Sequence, residues 1–329
     1  MGQTALSPDF CIHPPREEEL EVICEMLNAC DMADCGMPDS PLDQLLGDWR
    51  DENFHPETDA WLAVSRDGRI AGYAAVSQRS YVLVRADVRV HPDFRGRGIG
   101  THLLSLAEQR AREYIPLAPP DVRVVLQVWH HNSNQGARPV IEAAGFVSVR
   151  HTRVMRIELS EEPPQSKWPE RIVLRPFLPE RDARAVFEAT DEAFEDHWGH
   201  IPGRFEEWYQ HRITNRDDFD PMLWFIAWDR EQVVGAALCG YYLDCGVVDT
   251  LGVRRPWRKH GLGMALLHHA FGEFYRRGTS IVDLGVDSQN LTGAIRLYER
   301  AGMHVLMGYD MYEKELRSGV DLSVQSLRA

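Results

Sequence analysis

No stretch of the 329 residues approaches the ~20 consecutive apolar positions that a membrane-spanning helix requires. The first residues, Met1-Gly2-Gln3-Thr4-Ala5-Leu6-Ser7-Pro8, have no basic region and no apolar core, so they do not read as a signal peptide. Cysteine is scarce: Cys11, Cys24, Cys30, Cys35, Cys239 and Cys245, with no Cys-x-x-Cys spacing. A zinc site from the first four is the alternative to the expected absence of a metal, and Cys24, on the apolar face of a helical pattern, reads as a small core residue. A reduced, cytoplasmic setting is the expectation. Positive charge is also short, with 36 Lys and Arg against 50 Asp and Glu and a formal net charge of −14. Nonspecific nucleic-acid binding needs clustered cations, so that class is excluded.

What is present fits a globular chain of two domains: 44% apolar and 26% charged residues, over a length that is long for one core. Val247-Val248-Asp249-Thr250-Leu251-Gly252-Val253 reads as a strand, Arg258-Lys259-His260-Gly261-Leu262-Gly263-Met264 as a basic glycine turn, and Ala265 to Phe271 as a helix. First-turn N–H groups of a helix lack intrahelical partners, and the helix dipole adds partial positive charge there. Glycine removes the side chain that would hold an anion away. Arg254, Arg255, Arg258 and Lys259 add full charges, so the turn reads as a pyrophosphate seat. The same order occurs 163 residues earlier, where a strand ending at Val90 precedes Arg95-Gly96-Arg97-Gly98-Ile99-Gly100 and a helix. Both turns fit Arg-x-x-Gly-x-Gly, and neither has the Gly-Lys-Ser/Thr of a Walker loop.

This pattern, after the Val-x-x-Pro-like strand ends Val253-Arg254-Arg255-Pro256 and Val90-His91-Pro92, resembles the signature of the GCN5-related N-acetyltransferases. The resemblance covers nearly the whole chain as two tandem copies, and the tandem layout and length also resemble the mycothiol synthases. It implies an α/β chain of two tandem domains, each a mixed, mostly antiparallel sheet flanked by helices. Each sheet is expected to splay between its fourth and fifth strands, with the acyl-carrying arm of coenzyme A in the gap and acetyl-CoA as co-substrate. On the matching positions the coenzyme contacts are Leu251, Gly252, Val253, Arg258, Lys259, His260, Gly261, Leu262, Gly263 and Met264 in the second copy. In the first they are Val90, Arg95, Gly96, Arg97, Gly98, Ile99 and Gly100.

Periodicity places the first unit at 1–159. It begins with Leu20, Ile23, Cys24 and Leu27 at helical spacing and a hairpin around Asp67-Gly68. A strand to Val90, a helix from Gly98 to Tyr114, a strand Val122–Val128 and a helix Asn134–Ala144 follow. Two closing strands are expected over Phe146–Glu158. Polar, proline-bearing Glu161-Glu162-Pro163-Pro164-Gln165-Ser166 reads as a linker within 160–169. The second unit, 170–316, repeats the order: a strand Ile172–Arg175, helices Asp182–Phe194 and Phe205–Arg212, and a hairpin through Asp229-Arg230-Glu231-Gln232. The glycine-turn helix to Arg277, a strand Ile281–Val286, a helix Thr292–Arg300 and closing strands over Met303–Glu315 complete it. The tail 317–329 reads as loose.

The copies are unequal. Asn290 and Leu297-Tyr298-Glu299-Arg300-Ala301-Gly302-Met303 resemble the helix that follows the fifth strand in the family. The resemblance gives Tyr298 the role of general acid to the departing thiolate. A phenol, with a free pKa near 10, is protonated for that task at neutral pH. Asn290 becomes a coenzyme contact one residue off the usual spacing; a helix cap or turn residue explains it equally. Aligning Gly145 with Gly302 puts Ile141 in place of Tyr298, and Pro139 interrupts the helix. Isoleucine cannot donate a proton, so the first copy is expected to be non-catalytic, binding coenzyme A structurally or holding an empty site.

The strand position that often carries a catalytic Glu in the family falls on Val247. Asp249, two residues on and on the same side by alternation, is the candidate base, with a hydrogen-bonded strand Asp as the equal alternative. The segment from Asp191 to His200 occupies the loop that walls the acceptor pocket in the family. There Glu195, Asp196, His197 and Trp198 would suit a cationic acceptor, by charge, by the indole face and by an imidazole able to take a proton. A solvated acidic helix end explains them equally. The expected activity is acetyl transfer to a small primary amine by direct attack in a ternary complex, without metal, by a monomer or homodimer. A cysteinyl sugar is one version of that acceptor. The alternative is a non-catalytic coenzyme A-binding regulatory module, against which Tyr298 argues.

Overall fold

The computed structural model describes residues 6–195, 200, 203–216, 218–288 and 293–322. They divide into two compact units, one made of Met1–Thr152 and Met307–Leu322, the other of Arg153–Leu306. Unit 1 begins with β1 (Phe10–His13), α1 (Leu20–Cys35), α2 (Leu42–Trp49), α3 (Pro56–Asp59), β2 (Ala60–Ser65) and β3 (Ile70–Arg79). It continues with β4 (Leu83–Val90), α4 (Ile99–Glu113), β5 (Val124–His131), α5 (Ala137–Ala143) and the first half of β6 (Val147–Glu158). Unit 2 takes the rest of β6, then β7 (Ile172–Arg175), α6 (Pro179–Phe194), α7 (Phe205–Tyr209), β8 (Trp224–Asp229) and β9 (Gln232–Tyr242). β10 (Cys245–Val253), α8 (Leu262–Arg276), β11 (Ile281–Asp287), α9 (Ala294–Arg300) and the start of β12 (His304–Arg317) follow.

The strand order is β1-β2-β3-β4-β5-β12 in unit 1 and β6-β11-β10-β9-β8-β7 in unit 2. β4 against β5 and β10 against β11 are parallel. The neighbours β1–β2, β2–β3, β3–β4, β5–β12, β7–β8, β8–β9 and β9–β10 are antiparallel, so each sheet is mixed and mostly antiparallel. The parallel pairs are short. β4 and β5 are joined from Leu83–Val125 to Ala86–Val128, and β10 and β11 only at Gly246–Val282 and Val247–Asp283. Beyond those residues each pair of strands parts, which is the splay expected of the resemblance.

The helices cover the sheets with the stripes their sequences provide. α4 buries Ile99, Leu103, Leu104, Ala107 and Ala111, and α8 buries Leu262, Ala265, Leu266, Ala270, Phe271 and Phe274. Phe271 and Phe274 are fully buried, each contributing about 1.5–3 kcal/mol of transfer free energy. α6 starts three residues before the expected Asp182, because Pro179 suits the first helical turn and the Asp182 carboxylate accepts the Leu178 N–H at 3.0 Å.

The structure at the chain ends differs from expectation at four places. Each closing pair of strands is one long strand. Phe146–Glu158 contains no Gly, Pro, Asn or Asp to turn it, and Gly308, which looks like a turn, lies inside β12. A Cβ there would sit 2.6 Å from the Asn132 amide and 3.2 Å from the Thr152 carbonyl, so this glycine serves close approach. Consequently the division 1–159 and 170–316 is not contiguous: Tyr309 to Glu315 pair with His131 to Val125, in unit 1, with Tyr312 only 1% exposed. The linker is anchored near its end, where Trp168 meets the His269 ring edge-on at 5.7 Å. The tail is held as far as Val320, whose N–H donates to Asp121 O at 2.7 Å, with Arg317 capping the Val122, Ile115 and Pro119 carbonyls. Residues 323–329 lie outside the described ones.

Candidate active site

The two glycine turns have one backbone shape. Gly98 and Gly261, with φ of +82° and +86°, are left-handed caps from which α4 and α8 start. Gly96 and Lys259, at matching places, also have positive φ, +77° and +66°. The first helical bond of α8 runs from Ala265 N–H to Gly261 O at 3.0 Å, and that of α4 from His102 N–H to Gly98 O at 3.0 Å. Among the described residues the N–H groups from Lys259 to Met264 and from Gly96 to Thr101 have no carbonyl partner outside the helices. Gly263 and Gly100 keep the turns narrow: a Cβ would stand 3.3 Å from Leu297 Cδ2 in one and 3.4 Å from Val90 Cγ2 in the other.

The arginines take a different part from the one expected of them. Arg258 donates through Nε to Val253 O and through its terminal nitrogen to Ala193 O, each at 2.9 Å. Arg95 likewise donates to Val90 O at 3.2 Å and grips the Asp34 carboxylate at 2.8 and 2.9 Å. Arg254 bonds Glu192, Nε to Oε2 at 2.8 Å, and Arg255 faces Glu195 at 3.5 Å. These cations brace strand to turn to helix. The exposed side chains at the anion seat itself are those of Lys259 and His260. Arg97 lies over the Phe94 ring at 5.2 Å. Gly252 permits close packing of α6, since a Cβ would meet that of Ala193 at 3.2 Å; Leu251 and Val253 pack on the unit 2 core.

Tyr298 stands on α9 inside the same buried cluster as Val248 of β10 and Val286 of β11, the strands on either side of the gap. It is 8% exposed, and burial alone pushes its phenol up to about 12. No described group hydrogen-bonds its hydroxyl. Ile141, at the matching place in unit 1, is buried beside Tyr312. Asn290 lies outside the described residues, as do Asp196, His197 and Trp198.

Asp249 does not follow strand alternation. The ladder with β9 jumps from Val248–Cys239 to Thr250–Leu238, leaving Asp249 as the extra residue of a bulge. Its carboxylate faces Arg212 at 3.2 Å and Arg216 at 3.5 Å, and Arg212 also reaches Thr250 Oγ1 at 3.5 Å. Sequence reasoning missed both arginines. Arg212 lies in a wide turn, Gln210–Thr214, closed by Asn215 N–H to Gln210 O at 2.8 Å, and Arg216 just beyond it; no sequence pattern announced that turn. Trp224 and Trp228 are buried and Trp257 donates to Asp229 at 3.1 Å, all as packing residues.

Unit 1 differs where the chemistry would be. β4 pairs regularly with β3 from Gly72–Val90 to Arg79–Leu83, with no bulge. The mouth of its gap is tied across: Asp34 of α1 holds Arg95 on one side, and accepts from Asn134 Nδ2 at 3.1 Å on the other. Ser133 Oγ donates to the Asp34 carbonyl. Asp31 binds Arg89 at 2.8 Å, and the Tyr309 hydroxyl donates to Asp39 at 2.6 Å. Burial holds His131, at the end of β5, below the usual imidazole range.

Splayed α/β sheets, each with an unpartnered helix N-terminus beside the gap, define an acyl-carrier-dependent transferase fold. The chain belongs to the acetyltransferase (GNAT) family, which matches residues 21–146 and 183–303, one match in each half; it is an N-acetyltransferase in tandem form. A mycothiol acetyltransferase of Nocardiopsis dassonvillei is 31% identical, over 72% of this chain and 76% of that protein. One of Streptomyces scabiei is 30% identical, over 78% and 77%. A GCN5-related N-acetyltransferase from Sphaerobacter thermophilus has a TM-score of 0.86 at 38% identity, covering 98% of this chain and all, 100%, of that one. A tandem GNAT protein from the clavulanic acid biosynthesis pathway shares the fold, with a TM-score of 0.73 at 17% identity over 94% and 100% of the two chains. Among the described residues no helix is long and apolar enough to cross a membrane, and no His, Cys, Asp and Glu group could hold a metal.

Proposed function

We propose that the chain transfers the acetyl group of acetyl-CoA to a small primary amine, with the chemistry in unit 2. The observation that carries this reading is the alignment of three features there. These are a helix start with unpartnered N–H groups, a gap between β10 and β11, and a buried phenol against both strands. Lys259, His260, Gly261, Leu262, Gly263 and Met264 take the pyrophosphate on their N–H groups, and Leu251, Gly252 and Val253 line the arm's path. Asp249 accepts the proton of the attacking amine. Tyr298 gives its proton to the departing thiolate and regains one from solvent; with the phenol held near 12 it stays protonated at neutral pH. Unit 1, with Ile141 in that place and its gap tied across, does no chemistry; Arg95, Gly96, Arg97, Gly98, Ile99, Gly100 and Val90 give it at most a structural coenzyme seat. All six cysteines are free, which suits a reducing compartment.

Release of free thiol from acetyl-CoA against a panel of amines tests this reading. Amine-dependent release is expected. Saturable binding of acetyl-CoA without release would point instead to a regulatory coenzyme-binding module. A cysteinyl sugar belongs in the panel, since two relatives are named mycothiol acetyltransferases.

A further inference from the structure

We infer that the acceptor carries a carboxylate beside its amine: unit 2 takes a zwitterion, an α-amino acid or a compound ending in one, between Asp249 and Arg212. The inference rests on the reading that unit 2 acetylates an amine, and narrows it.

The bulge at Asp249 falls two residues past Val247, the last residue of β10 paired with β11. It therefore turns a carboxylate outward where the gap opens. The wide turn after α7 brings Arg212 against it. Both side chains are accessible, 35% exposed for Asp249 and 28% for Arg212. The second arginine is spoken for: Arg216 grips Asp218 with two bonds of 3.0 and 2.7 Å and only touches Asp249. Arg212 has five N–H donors and uses them on one Asp249 oxygen and, at 3.5 Å, on Thr250. It keeps a planar fork able to take a carboxylate two-pronged.

The site thus presents one negative and one positive group, a hydrogen bond apart, at the lip of the acyl gap. A half-exposed ion pair of this kind is weak and easily replaced. An α-amino acid replaces it without stranding a charge: its ammonium pairs with Asp249 and its carboxylate with Arg212. A simple cationic amine would take Asp249 and leave the guanidinium with no anion. Unit 1 supplies the contrast. There β4 carries an exposed Asp87 at 2.9 Å from Arg89, but that guanidinium is also held at 2.8 Å by Asp31, and Arg95 by Asp34, acids whose side chains are only 5% and 8% exposed.

The test is thiol release with matched acceptors: amino acids, their carboxamides, and the corresponding amines lacking the carboxylate, with a cysteinyl sugar included. The full chain and its Arg212→Gln and Arg212→Lys variants are compared, with thermal melting to check folding. The acids are expected to exceed their carboxamides in kcat/KM by about tenfold or more, the scale of a hydrogen-bonded charge pair. Arg212→Gln should bring that ratio toward one, mainly through KM, and Arg212→Lys should restore it in part. Carboxamides or the cysteinyl sugar used as well as the acids, or a ratio indifferent to Arg212, would overturn the inference and leave the acetyltransferase reading standing. No release with any amine would overturn both.

Discussion

Tyr298 is the residue whose surroundings say most. Its hydroxyl has no described partner and its ring is in the core, so burial alone raises its pKa, to about 12. The phenol therefore stays protonated well past the ordinary tyrosine value of about 10. We expect kcat to show no alkaline fall from this group between neutral pH and about 10 in a pH–rate profile. A fall there that vanishes in Tyr298→Phe would contradict it. Tyr298 was legible because the motif around it is local. The job of Arg258 was not, because its direction is set by carbonyls of Val253 and Ala193, which sequence spacing does not bring together. Gly246 gives a sharper stability test. A Cβ there would lie 2.6–2.9 Å from the ring of Phe274, which is fully buried and cannot swing away. Gly246→Ala should cost roughly 1–3 kcal/mol in denaturant unfolding, the range of an overpacked core.

Among the elements, the glycine turns decide most. Gly261 has open space around its Cβ position but a φ of +86°. Gly261→Ala should thus cost about 1–2 kcal/mol of conformational strain rather than a clash. It should also raise KM for acetyl-CoA more than it lowers kcat, which steady-state kinetics at saturating amine would show. Strand, turn and helix were all readable here, since each obeys local rules. The closing strands were not. β6 and β12 each looked like a hairpin, and whether Gly308 is a turn or a close approach depends on Asn132 and Thr152, far away in sequence. The bulge at Asp249 was equally hidden: nothing in Val247–Val253 marks which residue the ladder leaves out, yet it decides where the carboxylate faces.

At the scale of the whole molecule, the last strand ties the chain's end to its first unit. Removing everything after Leu306 would strip β5 of its partner along Tyr309–Glu315 and take Tyr312 from the core. The truncated chain should lose unit 1 protection in amide exchange. Acid should also weaken the fold. Burial, the largest cause in each case, holds His131, His268 and His269 below the usual imidazole value. Such groups support the fold fully above the unfolded value of about 6.5 and lose that support as pH falls toward their folded values. Melting temperature should thus decline from pH 7 downward through about 6. The most direct test of the account is kcat for thiol release in Tyr298→Phe at saturating acetyl-CoA and amine. A loss of about a hundredfold or more with an unchanged melting temperature is predicted; turnover equal to that of the unaltered chain would contradict it.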